Sequence, residues 1–452
     1  MRSSIGMGLC FVLGVLAGCA PAPHLDRPFV SAEIERRTGH AMEADAPFRD
    51  GDLPAGVSLS DGLSEDEAVA VALWNNAGFL AAVSDLGLAR ADLVQAGLFS
   101  NPVLGILFPV GSKELEFVAK LPLEAIWLRP QRVAAARLDM DRVAESLVQN
   151  GLDLARDVKV AFADLEFAKV RARLAAEAAT LGASIATIAA SRLAAGDASE
   201  LEASAARGDA LLLAEESWRV EGEVRLAEER LASVLGLGLA GKKPSVLEGR
   251  KPGPEPDPPE VAALLQDAMI SRPDLRASDL AVEAAGERAG LARIEFLKLS
   301  AIVDANGGPF EIGPGLEVPV PIFDWNQGGM SRADAELVRA LRRRAALRER
   351  VGLEVKEAHI RYSRSREEVE RWHDLVLPEL EATVQRAEKA YAAGDTSLLL
   401  VLETSARLVT ARAKAAAASA ELHRSRADLE RSAGHRLVAA VPPDSHSPER
   451  VP

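Results

Sequence analysis

Apolar and polar positions follow a helical period over most of the chain. Between Gln131 and Ala195, apolar side chains recur every seven residues in two series, without an internal proline or a cluster of turn residues. The series are Leu147, Leu154, Ala161, Ala168 and Ala175, and Val158, Leu165, Ala172, Ala179 and Ala186. A sustained heptad pattern is typical of a coiled-coil seam, so we predict one helix over 131–195. At about 1.5 Å per residue it would be about 98 Å long.

Short segments elsewhere have apolar residues at every second position, most often with polar residues between them. The apolar positions are Leu115, Phe117, Ala119 and Leu121; Leu297, Leu299, Ala301, Val303 and Ala305; and Ile312, Pro314, Leu316, Val318 and Val320. A fourth segment, Val103 to Pro109, is apolar on both faces and gives a weaker signal. With turns at Gly111-Ser112 and Gly307-Gly308, we predict two β-hairpins, over 101–123 and 297–320.

These hairpins fit either a soluble sheet or a membrane barrel. Segments of about ten residues, apolar on one face and polar on the other, are typical of outer-membrane barrels. A barrel in lipid has no open edge, and four strands are too few to close one. In the membrane case several chains must share one barrel, and three chains would supply twelve strands.

The chain contains two copies of one unit. Ala194-Ala195-Gly196-Asp197-Ala198-Ser199 is matched about 198 residues later by Ala392-Ala393-Gly394-Asp395-Thr396-Ser397, and Leu235-Gly236 is matched by Ala433-Gly434. Each copy reads as helix, two strands, long helix, glycine turn and helix. We predict a first repeat over 63–240, with helices 63–98, 131–195 and 199–236. The second repeat covers 259–436, with helices 259–296, 327–393 and 397–434; residues 241–258 are a Gly/Lys/Pro-rich linker.

The first residues indicate secretion. Arg2 precedes an apolar run from Ile5 to Ala17, too short for a membrane-spanning helix but suited to a signal peptide over 1–18. The run ends in Leu-Ala-Gly-Cys19, which resembles the bacterial lipobox. That resemblance implies acylation of Cys19 (palmitate among the acyl groups) and, because Ala20 and not an aspartate follows, delivery to the outer membrane. Residues 19–62 would form a lipid-anchored leader, and 437–452 a disordered tail.

The composition argues against several kinds of site and partner. Cys10 would leave with the signal, so the mature chain has no disulfide. The net charge of −14 argues against a nucleic-acid partner. Aromatics make up only 4% of residues, which suits closely packed long helices better than a thick globular core. The histidines lack ligand spacing and no phosphate-binding loop is present, so we expect no metal site, no cofactor and no enzymatic activity.

Two further motifs resemble the TolC-like outer-membrane efflux family. They are SRPDLRA at 271–277, similar to its RPDL segment, and PIFDWNQG at 321–328, similar to PxFDxNQG. The stretch 91–102 is similar to members associated with heavy-metal efflux, and the resemblance runs from about Leu63 to Gly434. It implies a mainly α fold with a small β part: long coiled-coil helices forming an α-barrel, plus four membrane strands per chain, closed into a barrel by trimerisation. The expected partners are outer-membrane lipid, a periplasmic adaptor protein and an inner-membrane pump.

The matched glycine turns are the first candidate site. By themselves, Gly196 and Gly394 would relieve strain at helix ends, while Asp197, Ser199 and Ser397 would cap the following helices. The resemblance adds that the turns form the periplasmic tip, which meets the adaptor. The predicted tip residues are Gly196, Asp197, Ser199, Gly394, Asp395 and Ser397.

The resemblance also implies an entrance gate. Tyr391, three residues before Gly394, corresponds to a tyrosine that holds the entrance closed with an acid on the neighbouring hairpin, here Glu202. The family places two acids one turn apart beyond the second tip. Here Leu400 replaces the first and Glu403 remains, so either an acidic ring or a hydrophobic constriction at Leu400 would form the gate.

We therefore predict an outer-membrane channel subunit of a tripartite efflux system, a passive duct for small molecules or metal ions. It would be lipid-anchored in a Gram-negative outer membrane and would extend into the periplasm. The alternatives are a protein-secretion duct and a non-conducting periplasmic coiled-coil lipoprotein. The alternating strands favour a channel over such a spacer, because a spacer needs no membrane hairpins.

Overall fold

The computed structural model describes residues 25–42, 53–54, 56–59, 62–110, 115–239, 241, 244–245, 257–306 and 311–437. It is mainly helical with one four-stranded sheet, which confirms the predicted balance of helix and strand. The predicted signal peptide, Cys19, the two hairpin turns, most of the 241–258 linker and the tail from 438 onward lie outside the described residues.

The described part of the chain begins with three short helices, of which the second and third open the first repeat: α1 (Arg27–Thr38), α2 (Glu65–Asn75) and α3 (Ala77–Ala96). Helix α1 lies in the predicted leader, where no helix was expected. The single helix predicted over 63–98 is wrong, because Asn76 is extended (φ −64°, ψ 113°) and separates α2 from α3. The Asn76 Oδ1 accepts the Phe79 N–H at 2.9 Å, and its Nδ2 donates to the Val234 carbonyl at 2.9 Å. Asn76 thus caps the start of α3 locally and also contacts a residue far along the chain.

Two strands and two helices complete the first repeat. They are β1 (Val103–Leu107), β2 (Glu116–Pro122), α4 (Ala125–Ala195) and α5 (Glu200–Val234). Helix α4 has 71 residues and begins six residues before the predicted start. Pro130 lies inside α4, and the helix continues through it although this residue has no N–H to donate to the preceding turn.

The second repeat departs from its predicted helices at two prolines. The helix predicted over 259–296 is divided into α6 (Val261–Ser271) and α7 (Pro273–Ile294), because Pro273 lacks an N–H and Arg272 is extended (φ −68°, ψ 126°). The helix predicted over 327–393 is α8 (Gln327–Arg371) and α9 (Leu377–Ala392), joined by a π-helical turn at Trp372–Val376. There the Leu377 N–H bonds the Trp372 carbonyl, next to Pro378, which has no N–H to donate. The last helix is α10 (Leu398–Ala433).

The sheet joins the hairpins of both repeats. Strands β3 (Ser300–Asn306) and β4 (Glu311–Glu317) follow β1 and β2 in the order β1-β2-β3-β4, and every pair is antiparallel. Phe117 pairs with Ile106 on one side and Ala305 on the other. The sheet is therefore continuous across the two repeats.

The chain divides into two compact units. The first comprises the described residues through Val30, Ala81–Gln149 and Pro273–Arg350, and it contains the whole sheet. A small core of Ala289, Ala292 and Ala333, with Met330 against it, packs α7 on α8 in this unit. Alanines at such contacts let helix backbones approach closely.

The second unit comprises Ser31–Leu80, Asn150–Arg272 and the described residues from Val351. The matched glycines Gly236 and Gly434 both have positive φ (73° and 84°) at helix ends. A Cβ on Gly236 would lie 2.3 Å from the Asn75 carbonyl oxygen, so only glycine fits there. The two repeats therefore share the backbone conformation at these matched glycines as well as the sequence motif.

Candidate functional site

One face of the sheet is entirely apolar. The strand register places on it Leu104 and Ile106; Phe117, Ala119 and Leu121; Ala301, Val303 and Ala305; and Ile312, Pro314 and Leu316. Phe117, Val303 and Leu316 are exposed, at 38%, 45% and 70%. An exposed apolar face that crosses all four strands is a surface for lipid or for another protein, because soluble chains rarely leave such a patch uncovered.

The opposite face contains the charged side chains. Lys120 of β2 and Glu317 of β4 form an ion pair across β3, with Nζ and Oε2 2.5 Å apart. Asp304 lies on the same face. Three glycines (105, 313 and 315) and a few apolar residues, such as Val118 and Ile302, also lie on this face, so it is mixed in character and holds all the charged residues of the strands.

The outer strands of the sheet have open edges. Strand β1 pairs only with β2, and β4 pairs only with β3, within the part of the chain that the structure describes. An unpaired edge presents a row of N–H and C=O groups that can pair with another chain. The sheet is therefore suited to extension at both ends.

The two glycine turns have the same geometry. Gly196 and Gly394 have φ of 83° and 80°, and a Cβ added to either residue would meet no heavy atom within 4 Å. Asp197 N–H bonds the Arg192 carbonyl at 2.8 Å, and Asp395 N–H bonds the Ala390 carbonyl at 2.8 Å. These bonds run from one residue past each glycine back into the helix, so both long helical arms end in the same left-handed cap.

Serines cap the helices that follow the turns. Ser199 forms a reciprocal capping box with Glu202 at the start of α5, whereas Ser397 accepts only the Leu400 N–H, at 3.4 Å. The expectation that Asp197 also caps α5 is wrong, because Ser199 is the N-cap residue. A capping box satisfies two of the free N–H groups at a helix start.

The predicted gate residues lie close to these turns. Tyr391, Leu400 and Glu403 are all exposed. The Glu202 carboxylate accepts the Ser199 backbone N–H at 2.8 Å, and this bond lowers the pKa of Glu202. The expected bond between Tyr391 and Glu202 is therefore not formed within this chain, since Glu202 is turned toward its own helix end. The gating role of these residues stays a prediction.

Helix α5 has an exposed row of apolar side chains that was not predicted from the sequence. Its residues are Leu201, Leu211, Leu212, Trp218 and Leu226, each more than half exposed. Their spacing is close to a heptad, which could have revealed the row. The heptad residues of α4 also become more exposed toward the end of the helix. Leu154 and Leu165 are buried, whereas Ala172, Ala179 and Ala186 are only half-buried.

The described residues contain no group of three or more His, Cys, Asp or Glu side chains arranged to hold a metal ion. Within Ala125–Ala195, one 18-residue window (mean hydropathy 1.3) meets the length and composition of a membrane span. Composition of this kind is weak evidence, since the coiled-coil alanines of α4 raise the hydropathy without a membrane.

Comparison with known proteins agrees with this architecture. Residues 264–435 match the family described as outer membrane efflux protein. The chain is 24% identical over 366 residues to the cobalt-zinc-cadmium resistance protein CzcC of Cupriavidus metallidurans, covering 77% of this chain and 85% of that protein.

Solved channels share the fold along nearly the whole chain. The outer membrane channel CmeC of Campylobacter jejuni has a TM-score of 0.69 at 15% identity, covering 88% of this chain and 94% of that one. The outer membrane protein VceC of Vibrio cholerae has a TM-score of 0.66 at 16% identity, covering 82% and 96%. Residues 264–435 thus match the outer membrane efflux protein family, and the chain as a whole shares the fold of these solved outer-membrane proteins.

Proposed function

We propose that the chain is one subunit of a trimeric outer-membrane channel that serves as the passive exit duct of a tripartite efflux system. The observation that carries the proposal is the four-stranded sheet with one apolar face and two open edges. In lipid such edges are satisfied only by closure, because no water is available to bond the free backbone groups.

Three copies would join edge to edge into a barrel of twelve strands, within the range of known barrels. Strands β4 and β1 would then meet at each junction and run antiparallel. The apolar face would contact lipid, and the face with Lys120 and Glu317 would line the pore. The alternation of these faces is the pattern of a membrane barrel.

The helices would form the periplasmic part of the duct. The exposed apolar row on α5 and the half-buried end of the α4 seam would pack against neighbouring copies. The glycine turns would then form the inner tip, where an adaptor protein and an inner-membrane pump bind. Gly196, Asp197, Ser199, Gly394, Asp395 and Ser397 are the residues proposed for the adaptor contact.

Two features are proposed on sequence resemblance. Cys19 would be acylated and would hold the leader at the outer membrane. Glu202, Tyr391, Leu400 and Glu403 would close the resting entrance through contacts between chains. In a trimer, Tyr391 can reach an acid that it does not reach within one chain.

The cargo would be small molecules or metal ions. The similarity to a cobalt-zinc-cadmium resistance protein favours divalent metal ions as the cargo to test first. A duct for secreted proteins is the second candidate. Deleting the gene and measuring growth in cobalt, zinc or cadmium, beside growth with detergents and dyes, distinguishes the two kinds of small cargo.

The central test is the strand junction between chains. In the purified protein, Leu104→Cys on β1 with Leu316→Cys on β4, treated with a short bismaleimide linker, should give covalent trimers on a denaturing gel. Leu104→Cys with Ala119→Cys is the matched control, because these positions pair within one chain and should give monomers. A native mass of three chains and conductance in planar bilayers complete the test.

A protein that stays monomeric in detergent would contradict the proposal. Trimers that are linked by the helices alone, with no conductance and no β1–β4 cross-link, would favour the non-conducting coiled-coil lipoprotein instead.

A further inference from the structure

An apolar cavity of about 440 Å³ lies at the end of the sheet where the helices attach. Its walls come from the segment before β3 (Phe296, Leu297 and Leu299), from Val318 after β4, and from Trp127 in the first turn of α4. All of these residues lie in the unit that contains the sheet. The volume is within the roughly 300–1,000 Å³ typical of small-molecule pockets.

The walls continue the apolar face of the sheet. By the two-residue period of a strand, Leu299 lies on the same face as Ala301 and Val303, and Val318 lies on the same face as Leu316. In the proposed barrel this face contacts lipid, so a lipid chain would reach the cavity without crossing a polar surface.

Trp127 supplies an aromatic wall to the cavity. Its indole Nε1 is buried away from solvent, so the ring meets the cavity with apolar atoms and the N–H is not open to a bound molecule. Tryptophan is enriched at membrane–water interfaces, which agrees with a lipid-facing pocket at this end of the sheet.

A cation completes the pocket. Lys298 is exposed, lies among the lining residues and forms no ion pair with any described residue. The nearby Arg293, by contrast, pairs with Asp334 at 3.2 Å. An unpaired lysine beside an apolar pocket at a lipid boundary complements a phosphate group.

We infer that this pocket binds one phospholipid per chain, in the leaflet next to the helices. One acyl chain fills the cavity against the Trp127 ring, and Lys298 Nζ contacts the phosphate. The inference rests on the proposed membrane barrel, and it assigns a lipid site that is separate from the pore and from the helix tips.

The test is native mass spectrometry of the trimer after loading with palmitoyl-oleoyl phosphatidylglycerol and extensive detergent washing. Wild type should retain about three lipids per trimer. Val318→Trp, which fills the cavity, and Lys298→Gln should each lower retention at least tenfold at unchanged trimer mass. Arg293→Gln is the matched control, since it removes an exposed cation outside the pocket, and should retain the lipid.

Two outcomes would overturn the inference. Wild-type trimers that conduct but retain no lipid would show that the pocket is empty or is covered by a neighbouring copy. Equal retention in wild type and Val318→Trp would place the bound lipid elsewhere. Failure to form trimers at all would instead contradict the proposed channel, so the two failures are distinguishable by mass.

Discussion

The guanidinium of Arg272 lies 2.9 Å from the Glu354 carboxylate, and the Arg272 side chain is fully buried. The same carboxylate oxygen is 2.7 Å from Arg431, and Arg272 also donates to the Ser432 carbonyl at 3.2 Å. The break between α6 and α7 is thereby tied to α8 and to the last turn of α10. The arginine of the SRPDLRA motif thus has a structural role in joining these helices.

Replacing Glu354 by Gln should lower the free energy of unfolding by about 3 kcal/mol, because it removes the negative charge that the buried Arg272 shares with Arg431. Guanidinium unfolding followed by circular dichroism measures the effect. Glu357→Gln is the control: its exposed pair with Arg361, at 3.5 Å, should contribute at most about 1 kcal/mol. Equal losses in both variants would contradict the role assigned to Arg272.

Arginine in place of Phe117 should destabilise the barrel by about 2–4 kcal/mol per chain, since the side chain would face the middle of the bilayer. Ser300→Arg is the control, because Ser300 lies on the opposite face, paired with Glu317. It should be tolerated and should change ion selectivity. The measurement is the fraction of trimer that survives in SDS on heating. Similar survival of both variants would refute the assignment of faces.

Replacing Tyr391 by Phe should raise conductance in planar bilayers without changing trimer mass, because it removes the hydroxyl proposed to close the entrance. Glu202→Gln should do the same while leaving α5 intact, since glutamine can replace glutamate in a capping box. Leu400→Asp should make the pore more cation-selective together with Glu403.

Ser199→Ala separates gating from helix stability. It removes the cap and should increase hydrogen exchange in the first turn of α5, at a cost of about 1 kcal/mol. Unchanged conductance in Tyr391→Phe, with trimers intact, would move the gate to a constriction at Leu400.

Stability should fall in acid because of Asp66. A hydrogen bond from His40 at 3.4 Å, followed by the charge of Arg436 with its Nη2 at 2.5 Å, holds the pKa of the Asp66 carboxyl well below its usual range. A lowered folded-state pKa contributes stability above the unfolded-state pKa of about 3.9, and that contribution is lost as the pH falls below about 4.

The melting temperature of wild type should therefore fall between pH 5 and pH 3 by more than that of Asp66→Asn, which should already be less stable at pH 6. Asp374→Asn, at an exposed position in the π-helical turn, should follow wild type. Parallel melting curves of wild type and Asp66→Asn across this range would show that Asp66 is not the group responsible.

Local patterns in the sequence were enough to predict the main elements. Alternation placed Phe117, Ala301 and Leu316 on one apolar face, and the strand register agrees. The matched glycine turns predicted equivalent helix ends, and Gly196 and Gly394 have nearly the same φ. Such features depend on neighbouring residues and on backbone sterics, so they can be read without knowing what lies across the fold.

Tertiary structure alone decided which distant partner a side chain takes. At the break between α2 and α3, the Asn76 side-chain amide donates to the Val234 carbonyl, 158 residues away. Arg272 is buried because Glu354 reaches it from another helix. By itself the sequence determined the periodic elements, the duplication and the two faces of the sheet. The buried ion pair and the lipid-sized pocket arise from contacts between distant segments, whose geometry no local period encodes.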